Sequence, residues 1–244
     1  MKYDLIIFDV GRTLYDKRTM QVAPASIVAD IVSLRKGGIK VGVCSMRTQK
    51  HCQAVVGTPL DFYICLNGSY VVCDNTLVYD SPINNAISVK DMLTYGSGTA
   101  YYSSQEARRK GEENGFLVEE YGIANKPYSI IMFNIEPNSL TIYDKYHYEY
   151  WENTKTIALQ NKEDSRVLAI NKVLDYYKLG SKILYFGDGP NDIEVFKNFH
   201  DCVCMGDCYP ELEKYALFKT LSCQEHGVSM ALRKIGLLSH NPRS

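Results

Sequence analysis

Asp9 closes the apolar run LIIF within FDVGRTL, and Ser45 closes KVGVC within VGVCSMRT. Asp188 follows KILYF within GDGPNDIEVF, and Arg166 stands near the start of the helical stretch before that run. Singly, an Asp or Ser after a strand is a helix cap or a turn former. Together, a carboxylate, a hydroxyl, a cation and an acidic glycine loop can converge on one phosphoryl group and one divalent cation. Carboxylates suit Mg2+, which takes one or two protein oxygens, waters and a substrate phosphate.

Such convergence needs a sheet whose strand ends meet. YDLIIFD, KVGVC and FYICL are apolar, bounded runs that read as strands buried on both faces. Between the first two lies a helix over Pro24–Lys36, stopped by Gly37-Gly38. Asp74-Asn75 separates YVVC from TLVY as a tight hairpin. The rhythm resumes with a helix over Asp164–Lys178, the strand KILYF, a helix over Pro190–Phe199 and the strand Asp201–Met205. Strand, helix, strand in this order predicts a doubly wound parallel sheet, in which ligands sit beyond the carboxyl ends of the strands.

The segment between differs. Residues 82–161 are richer in polar and turn residues, with a capping-box signature at Ser103–Glu106, a strand over Ser129–Ile135 and Tyr146, Tyr148 and Tyr150 in alternation. We read it as an inserted α+β domain, with residues 1–81 and 162–244 forming the core. It carries 7 Lys+Arg against 10 Asp+Glu, which is no basic funnel for polyanions.

Composition narrows the function classes. With 27 Lys+Arg against 28 Asp+Glu the chain lacks the basic excess of a nucleic-acid binder. No run reaches the ~18 apolar residues of a membrane span. The four-residue apolar core near the N-terminus, flanked by Asp4 and Asp9, falls short of the ~7–15 residues of a secretory leader. A cytoplasmic chain with eight reduced cysteines follows, and Cys202, Cys204 and Cys208 read as strand residues rather than a metal cluster. The five histidines are scattered without metal-ligand spacing, and no G-x-G-x-x-G follows the first strand to mark a dinucleotide site. Monomer and dimer are equally open.

The set Asp9…Thr13, Ser45, Arg166 and GDGPND resembles the four motifs of the haloacid dehalogenase (HAD) superfamily. The match is closest to its Cof-type, sugar-phosphatase-like branch, whose large α/β cap is inserted between the second and third motifs. Asn67-Gly68, CMGDC at 204–208, Ala216 and EHGVSMAL at 225–232 also sit where that branch has similar segments. The resemblance implies a phosphatase of a small phosphorylated metabolite, a sugar phosphate by branch, working through an aspartyl-phosphate on Asp9. It implies that Ser45 and Arg166 hold phosphoryl oxygens, with Thr13 and Arg47 close by. It places Mg2+ on Asp9, Asp188 and the Gly11 carbonyl, with Asn191 and Asp192 ordering the surroundings or orienting Arg166.

Three departures stand out. The family phosphatases carry D-x-D-G-T, and this chain carries Asp9-Val10-Gly11-Arg12-Thr13. Gly11 therefore replaces the carboxyl that protonates the leaving group and activates water, a contribution typically worth ~10²–10⁴-fold. Arg12 replaces a turn glycine, and Arg166 replaces the usual Lys. Two readings follow: a phosphatase whose acid–base group comes from elsewhere, or a protein that binds a phosphometabolite without turnover.

Overall fold

The computed structural model describes residues 2–16, 23–83, 100–102, 128, 130–132, 146–152 and 156–239. The expected helix after Ser103 lies outside the described residues.

The larger sheet has eight strands: β1 (Leu5–Phe8), β2 (Lys40–Cys44), β3 (Phe62–Cys65), β4 (Tyr70–Cys73), β5 (Thr76–Asp80), β10 (Ile183–Gly187), β11 (Cys202–Cys204) and β12 (Phe218–Lys219). Their order is β12-β11-β10-β1-β2-β3-β4-β5. Strands β12 through β3 run parallel, and β4 and β5 add an antiparallel edge. Asp74 (φ 47°) and Asn75 (φ 63°) both sit in the left-handed region, as a two-residue hairpin turn demands.

Period-two alternation sorts the strands onto two cores. Ile6, Phe8, Val41, Val43, Leu184 and Phe186 pack under α1 (Ala25–Lys36) and the C-terminal helix Gly227–Lys234. Leu5, Ile7, Ile183 and Tyr185 face the helix Arg166–Tyr177 and the short helix Ile193–Asn198. Each buried Leu, Ile or Phe contributes roughly 1.5–3 kcal/mol, which locks the register. In chain order these four helices and Gln49–Val56 are α1, α2 (Gln49–Val56), α3 (Arg166–Tyr177), α4 (Ile193–Asn198) and α5 (Gly227–Lys234). The expected helix from Pro190 opens with a 3-10 turn over Pro190–Asp192, and α2 and β12 add to the expected elements. Among the described residues no helix is long and apolar enough to cross a membrane.

A second sheet, ordered β6-β7-β9-β8, is wholly antiparallel. Its strands are β6 (Ala100–Tyr102), β7 (Ile130–Met132), β8 (Tyr146–Trp151) and β9 (Thr156–Asn161). The Tyr-rich run is thus a strand throughout. The Asn161 amide donates to the Ser81 and Pro82 carbonyls at 3.2 and 3.0 Å, tying the chain's exit from the first sheet to its return.

Candidate active site

The chain winds from β1 through β2 to β3 on one side and from β10 to β12 on the other, so strand order reverses between β1 and β10. That reversal opens a crevice at the carboxyl ends, where Asp9 and Asp188 follow the two strands. The Asp9 amide donates to the Phe186 carbonyl at 2.8 Å, fixing the two ends together.

Arg166 is the centre of the arrangement. It is the first residue of α3, whose N-cap Ser165 accepts from the Leu168 amide, and it is 2% exposed. Its Nη1 donates to Asp9 Oδ1 (3.2 Å), Tyr185 Oη (3.0 Å) and Asp192 Oδ1 (2.5 Å), and its Nε donates to Asn67 Oδ1 (2.8 Å). Its Nη2 is buried with no hydrogen-bond partner among the described residues. A buried, unpartnered guanidinium nitrogen costs ~1–3 kcal/mol or more unless an acceptor arrives, and a phosphoryl oxygen is the natural one.

Asp192 holds this cation in place. One oxygen takes Arg166 and the Tyr185 hydroxyl (2.6 Å), and the other takes the Asp188 and Gly189 amides, both at 2.9 Å. Of the two roles considered for Asp192, orienting Arg166 is the one this geometry performs. Asn191 instead folds its side-chain oxygen back over Gly189.

The carboxylates crowd one another. Burial, then the charge of Asp192, pushes Asp9 up to about 7, against the pull of Arg166 and Arg47. Burial and the charges of Asp9 and Asp192 hold Asp188 well above the usual carboxylate range. Crowded, buried carboxylates of this kind are stabilised by a divalent cation. Asp9 and Asp188 therefore fit Mg2+, although the Arg166 and Arg12 guanidiniums already lie 3.2 and 3.4 Å from them. Among the described residues no group of three or more His, Cys, Asp or Glu forms a cage of its own.

The remaining expected residues line the same end of the sheet. Ser45, 3% exposed, follows β2 and accepts from the Arg47 amide at 3.2 Å. Arg47 stacks over the Tyr15 ring, 5.6 Å from its centroid. The Thr13 hydroxyl lies 3.5 Å from Asp188 Oδ1. Arg12 adopts φ 62°, the left-handed conformation that makes glycine the easier residue at this turn, and its guanidinium bridges Asp188 (3.4 Å) and Asp207 (2.9 Å). Burial pushes the Cys44 thiol up to about 12, so beside Ser45 it serves as packing, not as a nucleophile.

Two participants have no site role assigned from the sequence: Asn67 stands out there only through the family resemblance, and Glu149 not at all. Asn67, in the left-handed region at φ 59°, bridges Arg166 on one side and Glu149 Oε1 on the other, the latter at 2.7 Å. Glu149 comes from β8 of the second sheet, where it is the lone acid in YHYEYW. Its Oε2 is buried without a partner among the described residues. Burial pushes this carboxyl up to about 7; Arg166 and Asn67 pull it down, and Asp192 and Glu194 push it up. Glu149, with His147, Tyr148 and Tyr150 of this edge strand, lines a cavity of about 370 Å³ together with Asn191, Glu194 and Lys197.

Known proteins carry the same plan. A Streptococcus pyogenes protein assigned as a bifunctional phosphatase/peptidyl-prolyl cis-trans isomerase is 28% identical over 97% of this chain. The chain spans 55% of that relative's length. YkrA of Bacillus subtilis, assigned as a phosphatase, is 24% identical over 98% of this chain and 100% of its own. The HAD subclass IIB sugar phosphatase BT4131 superposes with a TM-score of 0.78 at 19% identity, over 96% of this chain and 100% of its own. A model of the haloacid dehalogenase-like hydrolases matches residues 6–232, and with nearly the whole doubly wound core inside that span, the chain belongs to this family.

Proposed function

We propose that the chain is an Mg2+-dependent phosphatase of a small phosphorylated metabolite, with a sugar phosphate as the leading substrate class. The observation that carries this reading is the buried, unpartnered Nη2 of Arg166, beside Asp9 at the crevice between β1 and β10. The assignments of YkrA and of BT4131 as phosphatases support it.

The Asp9 carboxylate attacks phosphorus, and the ester oxygen leaves. Arg166 and the Ser45 hydroxyl hold the phosphoryl oxygens, so the charge that spreads over them in the transition state meets donors already in place. Asp192 and Tyr185 keep the guanidinium from swinging away. Water then cleaves the aspartyl-phosphate and regenerates Asp9. Asp9, Asp188 and the Gly11 carbonyl would hold Mg2+, which when bound would supply positive charge against the charge developing on the phosphoryl group. Residues 82–161 act as the cap that selects the leaving group. A cytoplasmic location suits such a substrate.

A phosphate-ester screen with and without Mg2+ tests this. We expect turnover that requires Mg2+ and falls at least 10³-fold in Asp9→Asn. Full activity in that variant would remove Asp9 as nucleophile. Gly11 favours one second reading, a phosphometabolite-binding protein. Tight Mg2+-dependent binding by calorimetry, with no phosphate released, would select it.

A further inference from the structure

We infer that Glu149, reaching across from the second sheet, supplies the acid–base carboxyl that Gly11 lacks. The inference rests on the phosphatase reading above and assigns it a further catalytic residue.

Three observations converge on this side chain. Apart from its chain neighbours, a Cβ built on Gly11 would meet only Asp9 Oδ2, at 4.0 Å, so a side chain can start from this position beside the nucleophile. Asn67 takes Arg166 Nε on its oxygen and offers its nitrogen to Glu149 Oε1, so one amide sets both groups. The two buried polar atoms left without partners on either side of that amide are Arg166 Nη2, a donor, and Glu149 Oε2. A phosphate ester satisfies both at once, with a phosphoryl oxygen on the guanidinium and the bridging oxygen on the carboxyl. Glu149 also lines the cavity of about 370 Å³ between β8 and the Pro190–Lys197 segment.

Strand geometry explains how the sequence reaches this arrangement. Alternation along β8 puts Tyr146, Tyr148 and Tyr150 on one face and His147 and Glu149 on the other. Pairing of Glu149 with Ala158 on β9 fixes its register. Gln160, two residues further on β9, donates to the Asn67 carbonyl at 3.2 Å, so both strands are pinned to the same residue of the core.

The step balances as follows. Protonated Glu149 gives its proton to the ester oxygen as the phosphorus–ester bond breaks and the Asp9–phosphorus bond forms. The Glu149 carboxylate then takes a proton from water as the water oxygen bonds to phosphorus and the Asp9–phosphorus bond breaks. Alcohol and phosphate leave, and Glu149 is protonated again. Arg166 on α3, Asp192 in the Pro190–Asp192 turn and Glu194 on α4 are the charged groups that act on it.

The test compares wild type, Glu149→Gln, Gly11→Asp and the double variant on para-nitrophenyl phosphate and on glucose 6-phosphate, all with Mg2+. An aryl leaving group needs no protonation and an alkyl one does. We expect Glu149→Gln to lower kcat on glucose 6-phosphate about 10²-fold or more. On para-nitrophenyl phosphate it should release a burst of one nitrophenol per enzyme and then stall as phosphoenzyme. Gly11→Asp should restore at least tenfold in the Glu149→Gln background. An unchanged kcat, a change confined to KM, or a loss that Gly11→Asp does not rescue overturns the assignment. Leaving-group sensitivity of the wild type supplies a readout free of any folding defect. A kcat/KM for the alkyl ester within about tenfold of the aryl ester supports an enzymic acid, and a preference above 10³ overturns it. Absence of Asp9-dependent turnover in wild type removes the phosphatase reading itself, whereas turnover indifferent to Glu149 removes only this inference.

Discussion

Gly11 stands where the family phosphatases carry a carboxylate, and outside its chain neighbours a Cβ placed there meets only Asp9 Oδ2, at 4.0 Å. Gly11→Asp should raise turnover of para-nitrophenyl phosphate about tenfold. That gain is smaller than the ~10²–10⁴-fold of a sole general acid–base, because Glu149 serves the same step. No gain in kcat would mean that the site has diverged beyond the missing acid. At this scale the sequence picked out Asp9, Ser45 and Asp188 because each follows a recognisable strand, and Arg166 because it opens a recognisable helix, and the structure places Arg166 on Asp9. Glu149 was hidden because its neighbours in the site, Asn67 and Arg166, lie 82 and 17 positions away. Nothing local distinguishes a strand Glu that faces solvent from one that faces a guanidinium.

The element that matters most for the site is the start of α3. Ser165 caps it, accepting from the Leu168 amide at 3.1 Å, and Arg166 follows at once. Ser165→Ala should cost about 1 kcal/mol, or ~2–4 °C in Tm for a chain of this size, and lower kcat with little change in far-UV circular dichroism. Gly68 presses on the same place. It holds φ +104°, and a Cβ there would lie 2.4 Å from the Ser165 carbonyl oxygen. Gly68→Ala should therefore lower both Tm and kcat more than Ser165→Ala does. An equal or smaller effect in thermal unfolding would show that the loop at Asn67-Gly68 does not set the helix. Helix existence was legible from periodicity, as were the Asp74-Asn75 turn and the three central strands. The turn at Pro190–Asp192 was read as plain helix, because its 3-10 form comes from Asp192 accepting the Asp188 and Gly189 amides.

At the scale of the molecule, four of the 19 tyrosines, Tyr3, Tyr128, Tyr177 and Tyr185, make the fold sensitive to alkaline pH. Burial pushes Tyr3 up to about 12 and raises Tyr128, Tyr177 and Tyr185 further. Tyr128, Tyr177 and Tyr185 donate to Asp80, the Asp61 carbonyl and Asp192 at 2.6, 2.7 and 2.6 Å. In the unfolded chain each phenol ionises near 10. The folded state binds these protons more tightly, so their stabilisation is complete below about pH 10 and falls away as pH rises through about 12. Phenolate absorbance at 295 nm followed beside circular dichroism should show Tyr3, Tyr128, Tyr177 and Tyr185 ionising only with unfolding. All phenols titrating near 10 in a folded protein would remove this source of alkaline instability.

What the sequence determined by itself were the parts set by neighbours in the chain. These were the buried parallel strands, the helices between them, the hairpin turn and the polar residue left at each strand end. Hydrophobic period and turn chemistry act over a few residues, so they can be read without knowing the fold. Only the tertiary structure decided what those ends do together. Strand order brings Asp9 beside Asp188 across β1 and β10, α3 turns Arg166 onto both Asp9 and Asp192, and β8 delivers Glu149 to Asn67. Those contacts join residues far apart in the chain, and burial raises the energy of each charge until it finds a partner.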